Sequence, residues 1–194
     1  MVEKAATRKG KRESVKIRTV TGIAAGLAAI YLGSRFLPAY GAGDAKPIGG
    51  IPCDREEHLN FHIHAHLDIF VDGQPHAVPE SIGIIPRTCL YWLHTHDRSG
   101  IIHVEALQAW TFTLGQFFDI WKATAKGVPA SKEKPKVFVN GRRVSVGLEQ
   151  VEITPLSEIA VIYGKEPSVI PSSYNFPQTY LVPSRPQGAA RKAP

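Results

Sequence analysis

The chain has 194 residues, a formal net charge of +6 and two cysteines, which leaves room for one domain of ordinary size plus appendages. The positive charge sits at the ends: residues 1–18 carry seven Lys/Arg against two Glu, and residues 185–194 carry three more, while residues 41–184 hold 12 basic against 15 acidic side chains. A mildly acidic middle without a basic stripe argues against nucleic acid as a partner, because phosphate neutralisation needs clustered cations.

The basic segment 1–18 runs into "TVTGIAAGLAAIYLGS", sixteen residues without a charge. This is slightly short for a full membrane span and slightly long for a signal-peptide apolar region, so residues 19–37 read as a signal peptide or a membrane anchor. The preceding Lys/Arg excess keeps the start in the cytoplasm and sends the rest across the cell membrane. Small residues at 39–43 permit cleavage, and both an exported and an anchored protein fit. Residues 38–52, rich in Gly, Pro and Ala, read as a linker.

Export would place Cys53 and Cys89 in an oxidising compartment, where an isolated pair is most simply a disulfide. Closing about 37 residues contributes roughly 3–4 kcal/mol on the chain-entropy view. The alternative, a thiolate role for Cys89, finds no activating partner in "RTCLYW".

A domain is expected over 53–165. From 61 to 71 the alternation is strict: Ile63, Ala65, Leu67, Ile69 and Val71 fall on one face, and His62, His64, His66 and Asp68 on the other. Period two with a β-branched apolar face predicts a half-buried strand, and "VDGQ" supplies the Asp-Gly of a tight hairpin. A second hairpin joins "CLYWLHTH" (89–96) to "IIHVE" (101–105) through "DRSG". Its register pairs residues whose numbers sum to 197, so His94 faces His103 and Trp92 faces Glu105. "TFTLGQFFDIWKAT" (111–124) predicts a helix capped by Thr111 or Thr113, with Leu114, Phe117, Phe118 and Trp121 as core. "KVFVNGRRVSV" (136–146) is a third hairpin with an Asn-Gly turn, and "SEIAVIYG" (157–164) is a final strand. Residues 166–194 form a Pro-rich, largely irregular tail. The order predicts an α+β domain, a mainly antiparallel sheet of hairpins with one principal helix, in a β-grasp-like arrangement.

All eight histidines fall between positions 58 and 103. Imidazole suits Zn, Cu, Fe and Ni, and strand geometry decides which rings can share an ion. Neighbours at i and i+2 stand about 6.5–7 Å apart and can converge on one metal, whereas i and i+4 stand about 13 Å apart. His62, His64 and His66 therefore cannot form a three-ligand site alone. The second hairpin does better: His94 and His96 share a face, and His103 lies across from His94. Glu105, on the same face, would ligate, orient an imidazole or move a proton. Asp97, in the turn, is a less favoured candidate. Should the strand at 61–71 lie beside this hairpin, His62, His64 or His66 would complete the sphere or hold a second ion. His58 and His76 read as ordinary surface or capping residues, and Asp68 as either a solvated carboxylate or a site residue.

A His-x-His pair with a third histidine on the neighbouring antiparallel strand, here His94, His96 and His103, resembles in geometry the zinc site of alpha-type carbonic anhydrases. The resemblance covers those positions only. The histidines and glutamate are also similar to a cupin ligand set, but the spaced Gly and Pro residues of the two cupin motifs are absent.

Three function classes follow. The first is an extracytoplasmic metal-binding protein, with copper or zinc as the favoured cofactor. The second is a mononuclear metalloenzyme, in which His94, His96 and His103 hold the ion and Glu105 acts as acid or base. The third is a membrane-tethered assembly or interaction protein whose histidines line an interface without metal.

Overall fold

The computed structural model describes residues 45–131 and 133–181. The expected basic segment, the signal or membrane segment 19–37 and the last part of the tail lie outside the described residues. Among the described residues no helix is long and apolar enough to cross a membrane.

The predicted turns set the strand boundaries. After the short strand β1 (Cys53–Asp54), β2 runs over Phe61–Val71 and turns into β3 (Gln74–His76). Asp72 and Gly73 between them have φ of 50° and 81°, the left-handed pair that a type I′ turn requires. Then come β4 (Ile84–Ile85), β5 (Cys89–Tyr91), β6 (Leu93–His94) and β7 (Ile101–Ala106). Helix α1 (Leu114–Thr124) is followed by β8 (Lys136–Val139) and β9 (Arg142–Val144), joined by Asn140 and Gly141 in the same left-handed conformation. The last strand is β10 (Glu158–Tyr163).

The main sheet has the order β6-β7-β2-β10-β8-β9, with β3 also on β2, and a small sheet has the order β1-β5-β4. The fold is α+β, as expected. Its ladders are antiparallel except at the centre, where β10 runs parallel to β2.

One predicted element is divided. The strand expected over 89–96 breaks at Trp92: β5 joins the small sheet, and only Leu93 and His94 pair with β7. The cause lies across the small sheet. Cys53 and Cys89 form a disulfide, Tyr91 pairs with Cys53, and the Trp92 indole donates to Asp54 at 2.7 Å. The predicted register survives the break, with His94 opposite His103 and the Glu105 amide donating to the Trp92 carbonyl at 2.9 Å.

Helix α1 covers one face of the main sheet. Thr113 caps it in a capping box, with Gln116 answering back to the Thr113 amide at 2.9 Å. Leu114, Phe117, Phe118 and Trp121 are all buried, in one cluster with Ala65, Leu67, Ile69, Ile102, Val104, Ile159 and Val161. Each such side chain stabilises the fold by roughly 1.5–3 kcal/mol. The opposite face, expected to be solvated, is partly covered: His64, His66 and Phe70 are buried, while His62 and Asp68 keep some exposure. A second cluster of Phe70, Phe138, Ala160 and Ile162 packs under Ile170, while Tyr174 and Tyr180 lie on His66 and His64. Residues 166–181 contain no strand and form a strap across the sheet.

Candidate metal centre

Three adjacent strands assemble the site. Side chains alternate along a strand, so His62, His64 and His66 leave β2 on the face opposite Ala65 and Leu67. His103 and Glu105 leave β7 on that same face. The ladders set His94, His103 and His64 in one row across β6, β7 and β2, with Glu105 facing His62 in the next row. Neighbouring strands are about 4.8 Å apart, which brings the rings into contact. The centroids of His94 and His103 are 5.5 Å apart, and those of His64 and His103 are 4.6 Å apart.

The donor atoms converge. His94 Nδ1 donates to the Tyr91 carbonyl at 2.9 Å, which fixes the tautomer and leaves Nε2 with a bare lone pair. That Nε2 is 3.2 Å from Nε2 of His96. Two donors about 2.0–2.1 Å from one tetrahedral ion would be roughly 3.3–3.4 Å apart, so the pair is spaced for a shared cation. Oε1 of Glu105 lies 3.2 Å from His62 Nε2, 3.5 Å from His103 Nδ1 and 3.9 Å from His94 Nε2. One donor atom each from His94, His96, His103 and Glu105 lies within 4.8 Å of the others, and the same holds for His62, His64 and His103.

Electrostatics prepare these groups as ligands. Burial, only partly offset by the Glu105 carboxylate, lowers the pKa of His94 to about 4. Burial, with His103 and His62 nearby, lowers that of His64 to about 4. Burial alone would raise Glu105, but His103, His62 and His94 outweigh it and hold the carboxyl well below the usual carboxylate range. At neutral pH His94 and His64 are therefore neutral imidazoles and Glu105 an ionised carboxylate, the forms that bind metal. His64 Nε2, His103 Nδ1 and Glu105 Oε2 are buried with no hydrogen-bond partner among the described residues. Each such orphan costs about 1–3 kcal/mol, and bound cations would satisfy them. The donor set fits a metal.

His66 stands apart from the expected ligands. Its Nε2 donates to the Ser99 carbonyl at 2.8 Å and its Nδ1 shares a proton with Glu158 Oε2 at 2.7 Å, so neither nitrogen keeps a free lone pair. Burial alone would lower its pKa; the Glu158 carboxylate outweighs burial and raises it. Tyr174 stacks on this ring at 3.7 Å, a face suited to a cation. One donor atom each from His66, Asp68 and Glu158 also lies within 4.8 Å of the others, a third group able to take a cation, in which His66 and Glu158 are already paired and Asp68 stands at the edge.

The remaining candidates have local tasks. His58 bonds Asp54 at 2.7 Å, His76 meets the Gly127 carbonyl at 2.7 Å, and Asp97 accepts the Ser99 amide to close its turn. Sequence reasoning missed Glu158, Tyr174 and Tyr180. A glutamate opening an otherwise apolar strand was a signal for the first; nothing local pointed to the tyrosines. The site is reached from the His96 side, where that side chain is 39% exposed and lies 3.6 Å from Glu57. On the other side a cavity of about 200 Å³ lies against His62 and His64, walled by Pro155 and Tyr180.

Compared with known proteins, the chain matches no family model, no curated protein and no solved structure. What the structure itself holds is a disulfide and buried His/Glu clusters able to take a metal ion.

Proposed function

We propose that this is an extracytoplasmic metal-binding protein, anchored in or exported across the cell membrane through its N-terminal segment. Its metal centre consists of His94, His96, His103 and Glu105, joined by His62 and His64. Imidazole-rich ligation favours copper or zinc. The observation that carries the reading is the 3.2 Å approach of His94 Nε2 to His96 Nε2, with the far nitrogen of His94 committed to the Tyr91 carbonyl. With its far nitrogen committed, the His94 Nε2 lone pair calls for a positive partner, a proton on His96 Nε2 or a cation between the rings, and the 3.2 Å spacing matches that of two donors on one tetrahedral ion. The disulfide supports the oxidising side of a membrane, where such bonds persist. The parallel pairing of the first and last long strands supports the β-grasp-like reading of the scaffold.

The second reading, a mononuclear metalloenzyme, is favoured by one feature: the approach at His96 is open, and Glu105 Oε2 is uncommitted beside it. A bound divalent ion would supply Lewis acidity or, for copper, redox chemistry. Glu105 would then accept or return a proton.

The test is metal content by mass spectrometry on the full-length chain, purified without chelator or added histidines. A His94→Ala/His103→Ala variant is measured beside it. Near-stoichiometric copper or zinc that disappears in the variant is the expected result. Absence of metal in both samples after reconstitution would overturn the reading and leave an interface role for the histidines.

A further inference from the structure

We propose that the cluster is a two-ion centre: His94 and His96 hold one cation, His62 and His64 hold a second, and His103 and Glu105 stand between them. The proposal rests on the metal-binding reading and deepens it.

The pattern is in the strands. Two His-x-His pairs, 94/96 and 62/64, occupy the outer elements, and His-x-Glu, 103/105, occupies the strand between them. The outer strands are two strand spacings apart, about 9.5 Å, and among the described residues no group of donor atoms lying within 4.8 Å of one another holds both pairs. The donor atoms accordingly fall into two groups that share His103. Deprotonated to imidazolate, His103 has a lone pair on each ring nitrogen and can face two ions, its proton being released to solvent as the second cation binds. Glu105 is placed in the same way: its Oε1 lies 3.2 Å from His62 Nε2 on one side and 3.9 Å from His94 Nε2 on the other. Its Oε2 is buried with no hydrogen-bond partner among the described residues. A single mononuclear site at His94, His96 and His103 would leave His64 Nε2, equally buried, without a purpose.

Charge makes the loading stepwise. One carboxylate is shared by two cations, and like charges a few ångströms apart repel strongly in a buried setting. The group with four donors fills first, and the His62/His64 side fills second and more weakly.

The experiment titrates the chelator-stripped full-length chain with Zn(II), counting bound ions by native mass spectrometry, and with Cu(II), followed by electron paramagnetic resonance. Two zinc ions per chain are expected, falling to one in His62→Ala/His64→Ala. The second Cu(II) equivalent is expected to diminish the resonance of the first through magnetic coupling. One ion in the wild type overturns the two-ion centre and leaves the metal-binding reading standing; none overturns both. Two ions retained in His62→Ala/His64→Ala overturn the assigned position. Should that variant lose its fold, the wild-type copper signal decides: doubling on the second equivalent means isolated ions and overturns the shared centre.

Discussion

The carbonyl of Tyr91 accepts a hydrogen bond from Nδ1 of His94 at 2.9 Å, and Tyr91 itself faces Cys53 across the disulfide-linked small sheet. The orientation of one proposed ligand is thus set by the backbone of a different sheet. His96, two residues on, meets His94 Nε2 at 3.2 Å and the Glu57 carboxylate at 3.6 Å, has no backbone tether of this kind among the described residues, and is partly exposed.

The two histidines should therefore separate in mutagenesis. His94→Ala leaves a buried carbonyl unsatisfied and a cavity, and is expected to destabilise the metal-free protein by about 2–3 kcal/mol. His96→Ala is expected to change metal-free stability by less than about 0.5 kcal/mol. Both should weaken metal binding at least 100-fold. Urea unfolding with and without chelator measures each quantity; equal metal-free losses for the two would contradict the tethering.

Glu105→Gln keeps the shape and removes the charge. The fold should survive, because the buried His94 beside it is neutral at pH 7 and the amide can still accept a hydrogen bond. Affinity for zinc is expected to fall by about 10- to 100-fold, the usual loss when a group that supports a metal centre is altered. A competition titration against a chromophoric chelator reads the change, and unaltered affinity would remove Glu105 from the centre.

His66→Gln addresses the ion pair. It should leave metal stoichiometry untouched and yet cost about 3–5 kcal/mol, since it strands the buried Glu158 carboxyl. Loss of a bound ion in this variant, with the fold intact by circular dichroism, would return His66 to the ligand set.

Acid should unfold the metal-free protein at mild pH. His94 has an ordinary pKa of 6.5 in the unfolded chain and about 4 in the fold, so between these values the unfolded state binds more protons. Its contribution is complete above pH 6.5 and is lost as pH falls toward 4, by up to about 3 kcal/mol. His64 acts in the same direction over the same window. His66 acts oppositely: its pKa is raised, so its contribution is present below 6.5 and fades as pH rises through the higher folded value. Urea midpoints in chelator are expected to decline from pH 6.5 to pH 4. A flat profile would show that the buried imidazoles titrate freely.

Much of the scaffold could be read from local signals. The alternation over 61–71 and the Asp-Gly turn fix both ends of β2 to the residue, and a turn at 97–100 is enough to place His94 opposite His103. Those are short-range properties of pleat and turn. The break at Trp92 was not legible, because it depends on Asp54 and Cys53, which lie about 40 positions away. Nor was the fate of His66, decided by Glu158 at a separation of 92 residues. The strand read as half-buried is buried further than expected at His64 and His66, for the same kind of reason. Its cover comes from Tyr174 and Tyr180, in a segment whose prolines advertise only irregularity.

The row of His64, His103 and His94 is written across two independent ladders. Because side chains alternate strictly, sliding either ladder by one residue would turn its imidazoles toward α1 and bring apolar groups out in their place. A cation gripping all three strands rewards a single alignment and penalises each neighbouring one. Whatever else it does, an ion in this position would proofread the sheet.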